Sequence, residues 1–594
     1  MKSYKEHEED NKLVSEIEKK RHTSAHVLAQ AVLELYPGAK LGIGPAIENG
    51  FYYDFELPNT LGMDDLKAIE DKMYEIKKKD IALSQKFIEK EEALNMLNIS
   101  GQTYKAELLH EIPDEKISFF STGDQFSDMC KGPHVESTGK IGIFKLTTVA
   151  SAYWRGDEKR PVLQRVYGVE FDSEEELDKY FEMLEEAKRR DHRTLGKELG
   201  LFLFSDIVGK GLPLWTVKGA TIRRELERFI VDEEIKRGYE HVYTPDIAKI
   251  DLYKKSGHYP YYKDSMYAPI TIEEEEYMLR PMTCPHHFQI YSSQKRSYRE
   301  LPMRIAELAK LYRFEQSGEL SGLMRVRSFC LADAHIIAKK EQAIDEINKA
   351  LDLIEYAAGV FGLKPNEDYS YRLSLGDRKN EEKYFKDDKA WDYAEDQLRE
   401  VLKTRSVKSV EAPAEAAFYG PKIDIQMRNI LGKEETAFTV QYDFVMPKRF
   451  ELKFTNEEGN DEEPIVIHRS SIGAIERIIA LLIERYAGVF PLWLSPVHAK
   501  IIPIGEKHVE YAKGVQSKMK ELGLRVEIDV RPERMQAKIR DAQVEKIPYM
   551  LVIGDKEMEN DSIAVRPRTG KDMGMMKTDD FIREVLEEIK TKKL

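Results

Sequence analysis

Arg313, Arg325, Arg327 and Phe329 stand close together in AELAKLYRFEQSGELSGLMRVRSFCLADAH, residues 306–335. Guanidinium groups make paired contacts to phosphate oxygens and stack on flat rings. Asp333 and His335 follow two apart, so an extended backbone puts both on one face. A second set is His22 and His26 in HTSAH with Cys130 and His134 in CKGPH. Three imidazoles and a thiolate can cage zinc tetrahedrally. They can equally position and activate a water without metal, histidine acting as general base. Cys284-Pro285-His286-His287 makes a poor local metal site, because adjacent positions compete sterically and Pro285 stiffens the turn.

Elements must hold these groups in place. Residues 306–335 read as two extended runs joined by a loop with glycine and serine, Gln316 to Gly322, hence an antiparallel hairpin. HTSAH opens an apolar-spaced run through Leu35, an amphipathic helix with His22 and His26 one turn apart. Pro37-Gly38 ends it, and Phe51 to Phe55 reads as a strand. Residues 1 to about 20 read as a charged tail or fraying helix. Residues 173–199 have helical period and charge throughout, a linking helix with a solvated face. After Gly219 a long amphipathic helix runs to Gly238, and a strand then reaches Pro245. Residues 340–363 form another amphipathic helix, and a helical stretch containing Trp391 lies within 377–402. Segments 417–424, 438–444 and 464–469 read as strands. Gly473-Ala-Ile-Glu476-Arg477 opens an apolar helix. From about Pro496 strands at 499–504, 525–530 and 549–553 alternate with helices at 508–522, 534–546 and 579–589, a doubly wound pattern.

The 594 residues bound roughly three to five domains at about 100–200 residues each. The 106 acidic against 92 basic residues, net −14, exclude a uniformly positive coat but leave room for local nucleic-acid patches. Three cysteines, Cys130, Cys284 and Cys330, cannot form a disulfide framework, which fits a reducing compartment and thiol or metal chemistry. The opening MKSYKEHEEDNKL has no apolar segment of signal-peptide type, and no run approaches the roughly 18 apolar residues of a membrane helix. A soluble, cytoplasmic protein without a membrane partner is expected.

The run Tyr312-Arg313-Phe314-Glu315, loop, Arg325-x-Arg327-x-Phe329, Asp333-x-His335 resembles the second signature motif of class II aminoacyl-tRNA synthetases. Its flanks narrow the likeness to the threonyl-tRNA synthetase family. The helix–strand–proline unit ending at Pro245 is similar to the first motif, which builds the dimer interface in that family. The strand before Gly473, with Glu476-Arg477, is similar to the third. The resemblance implies an α+β multidomain chain. An α+β editing domain with a tail and linking helix would occupy 1–190, an antiparallel-sheet class II catalytic core 191–495, and an α/β anticodon-binding domain 496–594. The small domain that usually precedes the editing domain is expected to be missing.

The resemblance also implies roles for single residues. Arg313 would hold the α-phosphate of ATP, with Glu315 beside it. Arg325 and Arg477 would grip the triphosphate, and Phe329 with Arg477 would sandwich adenine. Cys284, His335 and His468 would hold one zinc per subunit, a set their distant spacing could not show. Asp333, Tyr419 and Gln441 would bind threonine, Lys422 would reach the substrates, and His258 would lie near the terminal ribose of tRNA. His22, His26, Cys130 and His134, with Lys105 and Asp128, would form the editing site that removes serine from tRNA. The implied partners are ATP with magnesium, L-threonine, tRNA(Thr) and a second copy of the chain joined through the catalytic domain. Four places depart from the family pattern: His286 for glycine, Leu331 for glutamine, Glu435-Thr436 for Trp-Gln and Ala474 for serine. Two rival readings are a metallohydrolase built on the His22 quartet and a synthetase-like binding protein without catalysis.

Overall fold

The computed structural model describes residues 14–405, 407–569 and 572–594. Most of the expected charged tail, residues 1–13, lies outside them. The chain divides into two compact units, Met1–Leu184 and Glu185–Leu594. Among the described residues no helix is long and apolar enough to cross a membrane.

The first unit is built on α1 (Glu16–Leu35). Ser15 and Glu18 start it with a reciprocal capping box, each satisfying the other's backbone N–H. Its middle, Thr23 to Val32, is buried on all sides rather than on one stripe. This differs from the amphipathic expectation. The helix packs against both β1 (Gly50–Glu56) and α2 (Met63–Lys78), so its second face is covered as well. Next come β2 (Leu83–Glu89), α3 (Thr103–His110), β3 (Lys116–Thr122) and β4 (Phe126–Met129). Then follow the long strands β5 (Ile143–Tyr153) and β6 (Val162–Phe171). Strands β1, β6 and β5 pair antiparallel in that order, while β2, β3 and β4 form a separate antiparallel sheet.

The charged linking segment is two helices, α4 (Glu174–Arg190) and α5 (His192–Glu198). Asp191 breaks them by capping α5, its carboxylate accepting the Arg193 N–H. The next helix, α6 (Val217–Lys236), starts before Gly219, because the Thr216 hydroxyl caps it there. The strand expected to reach Pro245 is only β7 (Glu240–His241), a parallel edge strand. After α7 (Ile250–Ser256) and α8 (Cys284–Ser292) comes the hairpin of β8 (Met303–Tyr312) and β9 (Ser328–Ala338), paired antiparallel as its sequence requires. Helix α9 (Ala343–Val360), β10 (Tyr369–Ser374), α10 (Asp388–Thr404) and β11 (Ser409–Ala412) lead to the last three strands. These are β12 (Lys422–Arg428), β13 (Glu434–Asp443) and β14 (Ile465–Ala474), and α11 (Ile475–Tyr486) leaves the last.

The eight strands form one sheet in the order β7-β8-β9-β14-β13-β12-β10-β11, antiparallel except at its two edges. Helix α6 is tied to β14 by a buried ion pair, Arg469 Nη1 to Glu234 Oε1 at 2.6 Å, with the guanidinium stacked 4.1 Å from the Tyr239 ring. Arg469→Met strands Glu234 without its countercharge and is expected to cost about 3–5 kcal/mol, read as earlier unfolding of this unit in a urea titration.

The C-terminal portion joins β15 (Ala499–Pro503), α12 (Val509–Glu521), β16 (Val526–Ile528), α13 (Met535–Val544) and β17 (Tyr549–Ile553). These three strands are parallel, as expected. Two more, β18 (Ser562–Pro567) and β19 (Gly574–Lys577), add on antiparallel before α14 (Thr578–Thr591). The sheet is therefore mixed rather than doubly wound throughout. Residues 554–561 are too few for a crossover, which takes about a dozen or more, so the chain turns back instead.

Candidate active sites

Register builds the first site. His335 on β9 lies opposite His468 on β14, His468 opposite Gln441 on β13, and Gln441 opposite Lys422 on β12. Directly opposed residues share a face, so four side chains from four strands form one row. Cys284, the first residue of α8, closes on that row. Its Sγ and one nitrogen each of His335 and His468 lie within 4.8 Å of one another, all three residues buried.

Both imidazoles are held from behind. His468 Nε2 is 2.7 Å from Asp443 Oδ2. His335 Nδ1 is 2.8 Å from His287 Nδ1, and His287 Nε2 is 3.3 Å from Glu307 Oε2. That leaves His468 Nδ1 and His335 Nε2 for the interior, the arrangement metal-ligating histidines show. Asp333 sits beside them, Oδ2 3.9 Å from His335 Nε2. Burial, reinforced by Asp333 and Asp443, pushes the Cys284 thiol well above its ordinary pKa. Burial drives His335 well below its own, with His468 and His287 acting in the same sense. A soft sulfur and two imidazole nitrogens suit a divalent ion of borderline softness. The residues can hold a metal ion.

Behind them, burial pushes the Glu307 carboxyl up, but hydrogen bonds from His287 and Thr244 and the Arg280 guanidinium outweigh it and hold it at about 2. A depressed carboxyl stabilises the fold above its ordinary pKa of 4.5 and loses that contribution as pH falls toward 2.

Next to the row lies a cavity of about 300 Å³, whose lining includes Arg313, Glu315, Arg325, Phe329 and Arg477. Asp333, Gln441 and His468 form its shared wall with the Cys284–His335–His468 group. The Arg313 guanidinium lies 5.2 Å from the Phe329 ring centre. Arg477 donates to Thr436 O at 2.9 Å and to Met324 O at 3.3 Å, and Arg325 sits 3.7 Å from the Glu315 and Glu319 carboxylates. Burial lowers the pKa of both Arg313 and Arg477, and for Arg477 the neighbouring Arg313 and Arg325 act in the same sense. Three cations around one cavity favour an anion inside it. Gly473 makes the turn from β14 into α11 at φ +69°, where a Cβ would meet Ala437 O at 2.4 Å. That turn delivers Arg477 to the cavity.

The remaining expected residues sit around this centre. Tyr419 donates its hydroxyl to Gln441 Oε1 at 2.6 Å and stacks on His468, ring centres 4.9 Å apart. His258 follows α7, with Nδ1 2.7 Å from Ser256 Oγ and its ring 6.4 Å from Tyr419. Lys422 belongs to the row, but its Nζ lies 2.5 Å from Asp424 Oδ2 and stands outside the cavity lining.

The first unit brings the other quartet together: ligating atoms of His22, His26, Cys130 and His134 lie within 4.8 Å of one another. His22 Nδ1 lies 3.1 Å from the Pro133 carbonyl, to which it donates, so its Nε2 faces Cys130 Sγ as an acceptor at 3.3 Å. His134 Nε2 lies 3.2 Å from the same sulfur, with Nδ1 3.1 Å from Thr23 Oγ1. Lys105 and Asp128 form a buried ion pair at 2.8 Å, and Asp128 also accepts the Tyr53 hydroxyl. Burial lowers His22, His26 and His134 and pushes Cys130 up to about 12. The imidazoles are thus neutral proton acceptors at neutral pH, and the thiol keeps its proton.

Three family models match the chain: the tRNA synthetase class II core domain (G, H, P, S and T) at 267–486, the anticodon-binding domain at 498–588, and the threonyl and alanyl tRNA synthetase second additional domain at 117–167. The threonine–tRNA ligase of Geobacillus kaustophilus is 49% identical over 575 residues, covering 96% of this chain and 88% of the relative. The chain belongs to the threonine–tRNA ligase family. The threonine–tRNA ligase of Listeria monocytogenes serotype 4a is 48% identical over 570 residues, 96% of this chain and 89% of that one. Among solved structures, the RNA-binding domain of threonyl-tRNA synthetase from Cryptosporidium parvum matches with a TM-score of 0.64 and 36% identity, over 67% of this chain and 98% of that chain.

Sequence reasoning missed the groups that orient the threonine–tRNA ligase site. Asp443 carried no signal in an alternating strand. His287 was visible only as a neighbour of Cys284, and it hydrogen-bonds His335 from outside the Cys284–His335–His468 group. Leu331 and Ala474, two of the positions expected to depart from the family pattern, face each other across β9 and β14, and both line the cavity. Thr436 contributes its backbone oxygen to Arg477. His286 is buried with neither ring nitrogen partnered among the described residues. Asp443→Asn is expected to lower metal affinity about 10–100-fold with the ligands intact, measured by competition with a chromogenic chelator.

Proposed function

We propose that the chain activates L-threonine with ATP, transfers it to tRNA(Thr), and hydrolyses Ser-tRNA(Thr) in its first unit. The observation that carries this reading is the wall shared by a Cys-His-His group and an arginine-lined cavity, with Asp333 and Gln441 set into it. Three proposed domains follow the expected boundaries, 1–190 for editing, 191–495 for catalysis and 496–594 for anticodon binding. The proposed setting is the cytoplasm, with two copies joined through the catalytic domain.

Cys284, His335 and His468 would hold zinc. Bound there, zinc would supply a Lewis acid for the amino and hydroxyl groups of threonine. Asp333 accepts the hydroxyl proton, while Tyr419 and Gln441 orient the amino acid. Arg313 draws the threonine carboxylate and the α-phosphate of ATP together, Arg325 and Arg477 take the β- and γ-phosphates, and Phe329 stacks on adenine. Glu315 fixes the ATP side. Magnesium enters with ATP. The carboxylate then displaces pyrophosphate from the α-phosphorus, a step that needs positioning and charge neutralisation more than covalent help. A tRNA terminal hydroxyl, guided by His258, attacks the acyl carbon and releases AMP, and Lys422 steadies the substrates from β12.

Valine leaves the hydroxyl-reading groups unpaired and is rejected by about 10⁴-fold or more. Serine keeps the hydroxyl and lacks one methyl, worth only about 1–3 kcal/mol. Editing by the His22 quartet removes that residue of error. Neutral histidines there accept the proton of the attacking water, and the Lys105–Asp128 pair sets the polar floor.

Threonine-dependent exchange of pyrophosphate into ATP tests the reading, and its absence in the full chain rejects it. A chelator should remove exchange while leaving Ser-tRNA(Thr) deacylation intact; loss of both together would place an essential metal in the quartet as well.

A further inference from the structure

A third cluster of ligand-type groups is Asp191, His192 and Glu484. Their hydrogen bonds already occupy the atoms a metal would need. The Asp191 carboxylate is engaged by the Arg193 guanidinium and backbone N–H. His192 Nδ1 lies 2.7 Å from Glu484 Oε1, near the end of α11, and donates to it. Its Nε2 therefore keeps a lone pair, and that lone pair accepts the Leu323 N–H at 3.0 Å.

Leu323 is in the loop between β8 and β9, 131 residues from His192 in sequence. The backbone carbonyl of the next residue, Met324, accepts from Arg477, and both Met324 and Arg325 line the cavity. The imidazole and Leu323 are both buried, so water cannot stand in for either partner. The approach is close: Gly322 has φ +49°, and a Cβ there would lie 2.2 Å from His192 Nε2. Three features thus agree: a fixed tautomer, a buried donor, and a glycine that makes space for the ring.

We propose that His192 is a positioning residue for the nucleotide cavity, its Nε2 holding the Leu323 N–H so that the loop presents Met324 and Arg325 to the bound nucleotide. It lies outside the matched core model and outside the cavity lining. The inference rests on the reading of the cavity as the ATP site. A buried N–H with no acceptor disfavours the loop position that nucleotide binding needs, and the effect falls on ATP alone, because the threonine-reading residues hang from β9, β13 and β14.

The full chain is assayed by threonine-dependent pyrophosphate exchange, with ATP and threonine titrated separately. His192→Phe is expected to raise the apparent KM for ATP about tenfold, to leave that for threonine within about twofold, and to leave Ser-tRNA(Thr) deacylation unchanged. His192→Gln, whose amide oxygen can take the place of Nε2, should restore most of the ATP affinity. Gly322→Ala, which pushes the loop off an intact imidazole, should reproduce the ATP-only effect and decides the matter if the Phe variant does not fold. An unchanged KM for ATP in the folded variants, an equal rise for both substrates, or a Gln variant no better than Phe would overturn the proposal. If the parent chain shows no exchange, the ATP-site reading itself fails, and the positioning role fails with it.

Discussion

Cys284→Ala should abolish threonine-dependent pyrophosphate exchange, by about 10³-fold or more, while Ser-tRNA(Thr) deacylation continues at the parental rate. A thousandfold loss corresponds to about 4 kcal/mol of transition-state stabilisation. The size follows from what remains. Without the sulfur, two buried imidazoles face each other, each held in place from behind, His468 by Asp443 and His335 by His287. Two imidazole nitrogens bind a divalent ion far less tightly than the same pair with a thiolate. The variant protein should therefore also lose its bound zinc, measured by mass spectrometry of metals after gel filtration. Deacylation survives because its residues are in the other compact unit. Full exchange in a zinc-free Cys284→Ala protein would dismantle the functional assignment of the row.

The second large effect is the mirror image. Changing His22, His26 and Cys130 together to alanine should slow Ser-tRNA(Thr) hydrolysis by about 10²–10⁴-fold, the range general-base catalysis supplies. Exchange with threonine should be unaltered, and seryl-tRNA should accumulate when serine and ATP are supplied together. The geometry explains why several residues act as one. Cys130 Sγ sits between His22 Nε2 and His134 Nε2 at 3.3 and 3.2 Å, and the rings of His22 and His134 stack 4.1 Å apart. His26 is wedged against both, its centroid 5.4 and 4.3 Å from theirs. Removal of one member lets the others shift, so single substitutions will not sum to the triple. Undiminished hydrolysis by the triple variant would move the editing chemistry elsewhere.

Local chemistry was readable in the sequence and long-range assembly was not. The β8–β9 hairpin, α1 with its histidine pair and α11 after Gly473 all follow from period, turn residues and caps. The meeting of Cys284, His335 and His468 does not, because it depends on register between strands separated by well over a hundred residues. Only the family likeness put the three together in advance. Asp443, His287 and His192 escaped for a related reason: each works through another side chain, and nothing in its neighbourhood marks that partner. Errors in element boundaries came from two single polar groups and one short link. Thr216 moved the start of α6, Asp191 split α4 from α5, and the short 554–561 link reversed the chain into β18.

The alternation along β14 has a further bearing on how this molecule could change over time. His468 and Ser470 look toward the arginine-lined cavity, while Arg469 between them looks toward α6 and Glu234. Inserting or deleting one residue before His468 in the strand would exchange these two populations at once, sending a fixed cation into the cavity wall and an imidazole into the packing beneath the sheet. The register shift between the Asp333–Ser470 and Leu331–Ala474 pairs is where extra length on β14 is taken up without turning His468 and Arg469 over.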